Sequence, residues 1–148
     1  MKRYPFLIIV LFFVATLFLT GCIPEPAKFT GGGSIICGGE KVANFGFVYN
    51  NCKEDPMLNL LYNDKDAGVK FKAGPDFIGT PDGFLLTSYT SKEGDGTVQI
   101  WVEDLGEGNV PHGKIEVFVV SGPLFPYYAA GIVEGNVQEH ECNEECDD

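Results

Sequence analysis

The chain has 148 residues, with 21 Asp and Glu against 10 Lys and Arg and a formal charge of −11. So acidic a surface repels phosphate backbones and anionic headgroups, which argues against nucleic acid and against peripheral binding to acidic lipid. Nineteen glycines and nine prolines, without a long helical period, point to an all-β chain rich in turns.

Lys2 and Arg3 precede an apolar stretch from Phe6 to Leu19. As a helix it would span about 21 Å, short of a hydrocarbon core of roughly 30 Å. A basic start, an apolar segment and small residues at its end describe an export signal. Its last residues, Leu19-Thr20-Gly21-Cys22, resemble the lipobox of prokaryotic lipoproteins, in which the cysteine thiol is lipidated and becomes the new N-terminus. Only cysteine offers a good nucleophile for that thioether, and Gly21 leaves it accessible. An uncleaved membrane anchor with a chance cysteine is the plainer alternative. Either way the domain is tethered outside the cytoplasmic membrane. Loss of residues 1–21 removes two basic residues, leaving 8 Lys and Arg against 21 Asp and Glu, a formal charge of −13.

The expected organisation is a signal peptide over 1–21, a lipidated N-terminus and tether over 22–30, a β domain over 31–140 and an acidic cysteine-containing tail over 141–148. "IPEPAKFTGGG" is Pro-rich and then Gly-rich, as a short tether requires. Beyond it, apolar residues alternate with a period of two. Phe45, Phe47 and Tyr49 share one strand face; Leu58, Leu60 and Tyr62 share another. Val69 and Phe71 oppose Lys70 and Lys72. Val98, Ile100 and Val102 oppose Gln99, Trp101 and Glu103, while Ile115, Val117 and Val119 oppose Glu116 and Phe118. With "GGGSIIC", "GFLLTSYT" and "YYAAGIVEGNVQEH", about eight strands are predicted. They are joined by turn chemistry in "CGGEK", "YNDKDAG", "AGPDFIGTPDG", "SKEGDG", "DLGEGNVPHG" and "SGPLFP". A single antiparallel β-sandwich or flattened barrel follows, because no helix is present to cover an open sheet.

The segments "TGGGSI", "KVANFGFVYN", "LNLLYNDKDAGVKFKA", "VEDLGEGNVPHGKIEVFVV" and "GIVEGNVQEH" occur in that order. Together they resemble the post-COAP domain family of exported prokaryotic proteins, over roughly Phe29 to His140. The cysteines and the acidic tail depart from that pattern. The resemblance implies an all-β domain in a secreted or surface setting and brings no catalytic residues with it.

Cys37, Cys52, Cys142 and Cys146 lie downstream, an even number that outside the cytoplasm reads as disulfides. If residues 34–37 and 43–50 formed a tight hairpin, Cys37 and Cys52 would sit at opposite ends, on the order of 33 Å apart. Cys142 and Cys146 are at most about 14 Å apart and could not serve both ends. Either the opening strand pairs elsewhere, with Cys37–Cys52 and Cys142–Cys146 closed locally, or one pair stays reduced. The two local bridges are the preferred expectation.

Metal binding is the sharper alternative for the tail, where "HECNEEC" gathers His140, Cys142 and Cys146 with Glu141, Glu144 and Glu145. That spacing matches no established closed site, and disulfide formation competes for the thiols. Asn63, Asp64 and Asp66 could hold calcium through oxygen ligands, although Asx-turn chemistry explains them equally simply. Trp101, Tyr127 and Tyr128 are candidate stacking residues for a sugar or peptide, against the plainer reading of packing. No cofactor is otherwise implied.

Catalytic signatures are missing from the sequence. His112 lies in a turn without an identifiable partner, and no G-x-S-x-G elbow occurs. Glu103 and Asp104 are strand neighbours whose side chains diverge, a poor pair for glycoside hydrolysis. The glycine-rich "GEGNVPHG" and "GGGS" do not lead from a strand into a helix, so a phosphate cradle is not indicated. The expectation is a non-enzymatic, surface-anchored lipoprotein that binds an envelope protein or glycan or assembles outside the cell, with strand addition at an exposed sheet edge as one route. A metal-handling lipoprotein and a small envelope hydrolase are the alternatives.

Overall fold

The computed structural model describes residues 27–52, 56–79, 83–106 and 113–142. Eight antiparallel strands follow one another in sequence order: β1 Lys28–Cys37, β2 Glu40–Asn50, β3 Met57–Asp64, β4 Val69–Gly79, β5 Leu85–Ser91, β6 Gly94–Asp104, β7 Gly113–Ser121 and β8 Tyr127–His140. Each pairs with the next, and β8 pairs back onto β1 from Lys28↔His140 to Ile36↔Ile132. The result is a closed up-and-down barrel, the second of the two architectures expected. Closure removes the free sheet edges on which strand addition was expected to depend, because the ladder of the last strand is taken up by the first.

The period-two pattern sets which side faces in. Phe45, Phe47, Tyr49, Leu58, Leu60, Tyr62, Phe71 and Tyr89 fill the interior from β2–β5. Val98, Ile100, Ile115, Val117, Val119, Val133, Val137 and Ile35 fill it from β6–β8 and β1. The first group is largely aromatic, with Tyr62 and Phe71 stacked at 5.0 Å and Phe71 tilted against Tyr89 at 5.2 Å. The opposing wall is built from smaller residues. An eight-stranded barrel is just wide enough to be filled this way, each buried large side chain contributing about 1.5–3 kcal/mol. The outward positions include Lys70, Lys72, Glu103, Lys114 and Glu116. That polarity, apolar inside and charged outside, is the reverse of a barrel that faces lipid.

At the β1–β8 seam the backbones approach closely. Gly33 faces Gly135 across it, and both hold positive φ angles, 151° and 153°. A Cβ at Gly33 would run into the Glu134 carbonyl oxygen, and one at Gly135 into the Gly32 carbonyl oxygen. Residues 28–33, expected to lie partly in the tether, therefore belong to β1. The boundary drawn at residue 31 falls inside the strand, because Lys28, Phe29 and Thr30 pair with β2 on one side and β8 on the other. Two further stretches expected as connections are strand: β4 continues through "AGPDFIG" to Gly79 after a register shift, and β6 already starts at Gly94.

Cys52 is bonded to Cys142, 90 residues apart in sequence. This corrects the two local bridges. Strands β1 and β2 do form the hairpin that separates Cys37 from Cys52 by the length of the strands. The same register carries Cys52, two residues past Asn50, and Cys142, two residues past His140, to either side of Lys28. A bridge closing so long a segment stabilises by roughly 2–5 kcal/mol. Cys37 is exposed and unbridged. Cys146, like Cys22, lies outside the described residues.

Gly33→Ala is expected to lower stability by about 2–3 kcal/mol or more, since the added methyl meets backbone at a strained φ. Gly46→Ala, with nothing within 4 Å of the new Cβ, is expected to stay within about 0.5 kcal/mol of the parent. Urea unfolding of both variants measures the difference. Equal losses at the two sites would remove the seam from its special place.

Candidate interaction face and the buried tyrosine relay

Four of the residues singled out from sequence lie at two different places. Asp64, at the end of β3, is buried, with only 4% of its surface exposed. Its Oδ1 accepts the backbone N–H groups of Asp66 at 3.0 Å and Ala67 at 2.9 Å, which makes the β3–β4 connection an Asx-turn. Its Oδ2 accepts the Tyr127 hydroxyl proton at 2.7 Å. Tyr127 has one proton to give, so the Tyr62 hydroxyl, 2.6 Å away, donates to Tyr127. The relay runs Tyr62 to Tyr127 to Asp64 and ties β3 to the start of β8 across the barrel mouth. With both carboxylate oxygens of Asp64 engaged and Asp66 exposed on the turn, this geometry is that of a turn and a relay. Tyr62 was legible only as a core residue, because its partner is 65 positions away.

Burial, first of all, holds both phenols neutral, and the Asp64 charge adds to it. Tyr62 is pushed up to about 12, and Tyr127 is raised further. Tyrosines whose folded pKa exceeds the unfolded value of 10.0 contribute stability that is complete below about pH 10 and is lost as pH rises toward and past 12.

The tail residues are arranged differently from the metal reading. The Cys142 sulfur is committed to Cys52, so it offers no thiolate. His140 Nε2 is 2.8 Å from Thr30 Oγ1 across the β1–β8 seam. Among the described residues no three His, Cys, Asp or Glu side chains converge on one point. Glu144, Glu145 and Cys146 lie outside them, as does His112. The Glu103–Asp104 pair diverges as its spacing predicts: Glu103 Oε2 pairs with Lys114 Nζ at 3.1 Å, while Asp104 accepts the Gly106 and Glu139 N–H groups at 2.7 and 2.8 Å.

Trp101 and Tyr128 lie on the same outer side, two strands apart. In the outward register, Trp101 stands beside Glu116 and Glu116 beside Ala130. One row along, Gln99 neighbours Phe118 and Phe118 neighbours Tyr128; in the next, Lys114 neighbours Ile132 and Ile132 neighbours Ile36. The face thus crosses β6, β7, β8 and β1. Phe118 and Tyr128 meet edge to face at 6.4 Å. Tyr128 is 60% exposed, Ile132 41% and Phe118 36%. Beside them a groove of about 430 Å³ is lined by Trp101, Ile132, Glu116 and the Ile36–Gly39 end of the first hairpin. The outer side of β3–β5 carries Asn59, Lys70, Lys72, Ser88 and Thr90 together with the exposed apolar residues Met57, Leu61 and Ile78. Phe118 and Ile132 were not among the sequence candidates. The signal was available for Phe118, an aromatic at an outward position of a strictly alternating strand. No protein-family profile, curated protein or solved structure matches this chain.

Tyr127→Phe leaves one oxygen of a buried carboxylate without its donor and is expected to cost about 1–3 kcal/mol, and Tyr62→Phe about 0.5–1.5 kcal/mol. Phenolate absorbance during alkaline titration checks the relay: two tyrosines should ionise only together with unfolding. Free titration of all six near pH 10 would contradict it.

Proposed function

We propose that the chain is a lipid-anchored envelope protein whose barrel is a non-catalytic binding module, meeting a protein partner through the outer face of β6, β7, β8 and β1. The observation that carries the reading is the set of outward apolar side chains Trp101, Phe118, Tyr128 and Ile132 on the adjoining strands β6, β7 and β8, interspersed with Gln99, Lys114 and Glu116. Contiguous apolar surface rimmed by polar groups marks interaction sites, and aromatic residues dominate their energetics. The Cys52–Cys142 bridge supports an oxidising, extracytoplasmic setting. The lipobox at Leu19–Cys22 and the motif resemblance to exported post-COAP domains support the same address from sequence. The interior, packed with aromatic and aliphatic side chains, holds its most prominent polar group, Asp64, in internal hydrogen bonds. Against a hydrolase, Glu103 and Asp104 are spent on an ion pair and on backbone N–H groups.

Two experiments test the proposal. The immobilised chain is exposed to envelope extract of its own cells, and retained proteins are identified by mass. Trp101→Ala with Tyr128→Ala is expected to reduce retention about tenfold or more, since paired aromatic anchors carry most of such binding energy. Lys72→Ala on the opposite side should leave it unchanged. Retention indifferent to the first pair would take the face out of the proposal. For the anchor, Cys22→Ala should move the protein from the membrane to the soluble fraction or leave it uncleaved and without lipid mass. A cleaved, membrane-bound and unmodified product would contradict lipidation.

A further inference from the structure

A second surface lies on the other side of the barrel, and its charge runs against that of the chain. Beyond residue 21 the basic residues number 8, all lysine, against 21 Asp and Glu. Four of the lysines, Lys65, Lys70, Lys72 and Lys92, lie on β4 or in the turns before β4 and after β5. Among the described residues none of the four is in an ion pair, whereas Lys114 is taken by Glu103. Register gathers them: Lys70 stands beside Asn63, and Lys72 stands between Leu61 and Thr90. Lys70, Lys72 and Lys92 line an open groove of about 430 Å³ with Leu61, Thr90 and Glu93.

Carboxylates nearby are Glu93 in the groove itself, Asp66 in the β3–β4 turn and Asp95, beside Thr90 on β6. Three ammonium groups thus meet one carboxylate in the groove, in a chain whose acids outnumber its bases more than two to one. Most other acids act from further off. Strand β8, with Glu134, is four strands round from β4, about 19 Å along the wall at 4.8 Å a strand. With a Debye length of about 8 Å at physiological salt, such charges are largely screened, while a contact inside the groove is not. The rest of the lining says what kind of anion fits. Leu61 is 56% exposed beside Lys72, and the lysine stems extend that apolar strip. Asn63 and Thr90 add neutral hydrogen-bonding groups beside the same two lysines. A sugar acid combines the matching parts: a carboxylate, a C–H face and hydroxyls. A phosphate chain would use the ammonium groups alone.

We propose that this groove binds an acidic polysaccharide of the envelope, with ring carboxylates on Lys70, Lys72 and Lys92 and a sugar face on Leu61. The inference takes its extracytoplasmic address from the proposal above and is independent of the protein-binding face. Its position suits that setting. Lys28 stands beside Asn50 and Asn50 beside Met57 at one end of the barrel, while Lys70 stands beside Asn63 toward the other. A molecule anchored ahead of Lys28 therefore turns the groove away from the bilayer. Each ammonium–carboxylate contact in so open a groove is worth at most about fivefold in affinity. Useful binding then comes from several lysines engaging successive carboxylates of one polymer.

The test titrates the full chain, in non-ionic detergent, into fluorescent oligogalacturonate at about 0.1 M salt, where the Debye length is about 10 Å. Anisotropy reads the binding, and circular dichroism checks that each variant is folded. Saturable binding is expected, weakened as salt rises. Lys70→Glu and Lys72→Glu should each lower affinity about fivefold or more. Lys41→Glu, the same change of charge on β2, should leave it unaltered. Polyphosphate and polyglutamate of matched charge should compete about tenfold less well than the unlabelled glycan, and neutral dextran not at all. Absence of saturable binding overturns the proposal. So does an equal loss in Lys41→Glu, which would place the effect in the overall charge. Polyphosphate or polyglutamate competing as well as the glycan overturns the sugar acid as occupant. The capture test above, with its Lys72→Ala control, reads retained proteins and takes no account of glycan. Lost glycan binding with capture intact therefore removes this groove alone, and lost capture with glycan binding intact removes the protein-binding face alone.

Discussion

Closure of β8 onto β1 is the constraint from which the rest of the molecule follows. It uses the backbone groups of the terminal strands, gives every inward position a filled interior to face, and brings Lys28 at the start of β1 and His140 at the end of β8 to one end of the barrel. The seam can close only because Gly33 and Gly135 meet there without side chains. Their smallness has a counterpart across the interior, where Phe45, Phe47, Tyr62, Phe71 and Tyr89 occupy the volume that a glycine and valine wall leaves open. Large residues on one half and small ones on the other achieve dense packing without crowding either wall.

The two ends of the barrel are secured by different chemistry. At the end where the chain enters and leaves, the Cys52–Cys142 bridge joins the β2–β3 connection to the segment after β8 and flanks the seam. At the other end, the Tyr62–Tyr127–Asp64 relay joins β3 to β8 while Asp64 also shapes the β3–β4 turn. A buried carboxylate is costly unless its oxygens are satisfied, and here three donors do so. The polar group therefore adds specificity to the closure without offering a reactive site. On the outside, Trp101, Phe118, Tyr128 and Ile132 place apolar side chains on the adjoining strands β6–β8.

The amino-acid sequence determined the strand count, the side-chain directions along β2, β3, β4, β6 and β7 and much of the core, because alternation with period two is a local property. Phe45, Phe47, Tyr49, Val117 and Ile115 are buried as that alternation requires, and Lys70 and Lys72 are outside. The lipobox-like run Leu19–Cys22, on which the proposed anchor rests, is likewise a matter of consecutive residues. The choice of barrel over sandwich, the Cys52–Cys142 pairing and the role of the Gly31–Gly33 run were decided by tertiary structure. Each depends on which distant strands adjoin: β1 meets β8 more than ninety residues later, and that one pairing turns a supposed tether into a seam and brings Cys142 to Cys52. The proposed binding face belongs to the same class, since Trp101, Phe118, Tyr128 and Ile132 share one outer side only through cross-strand register.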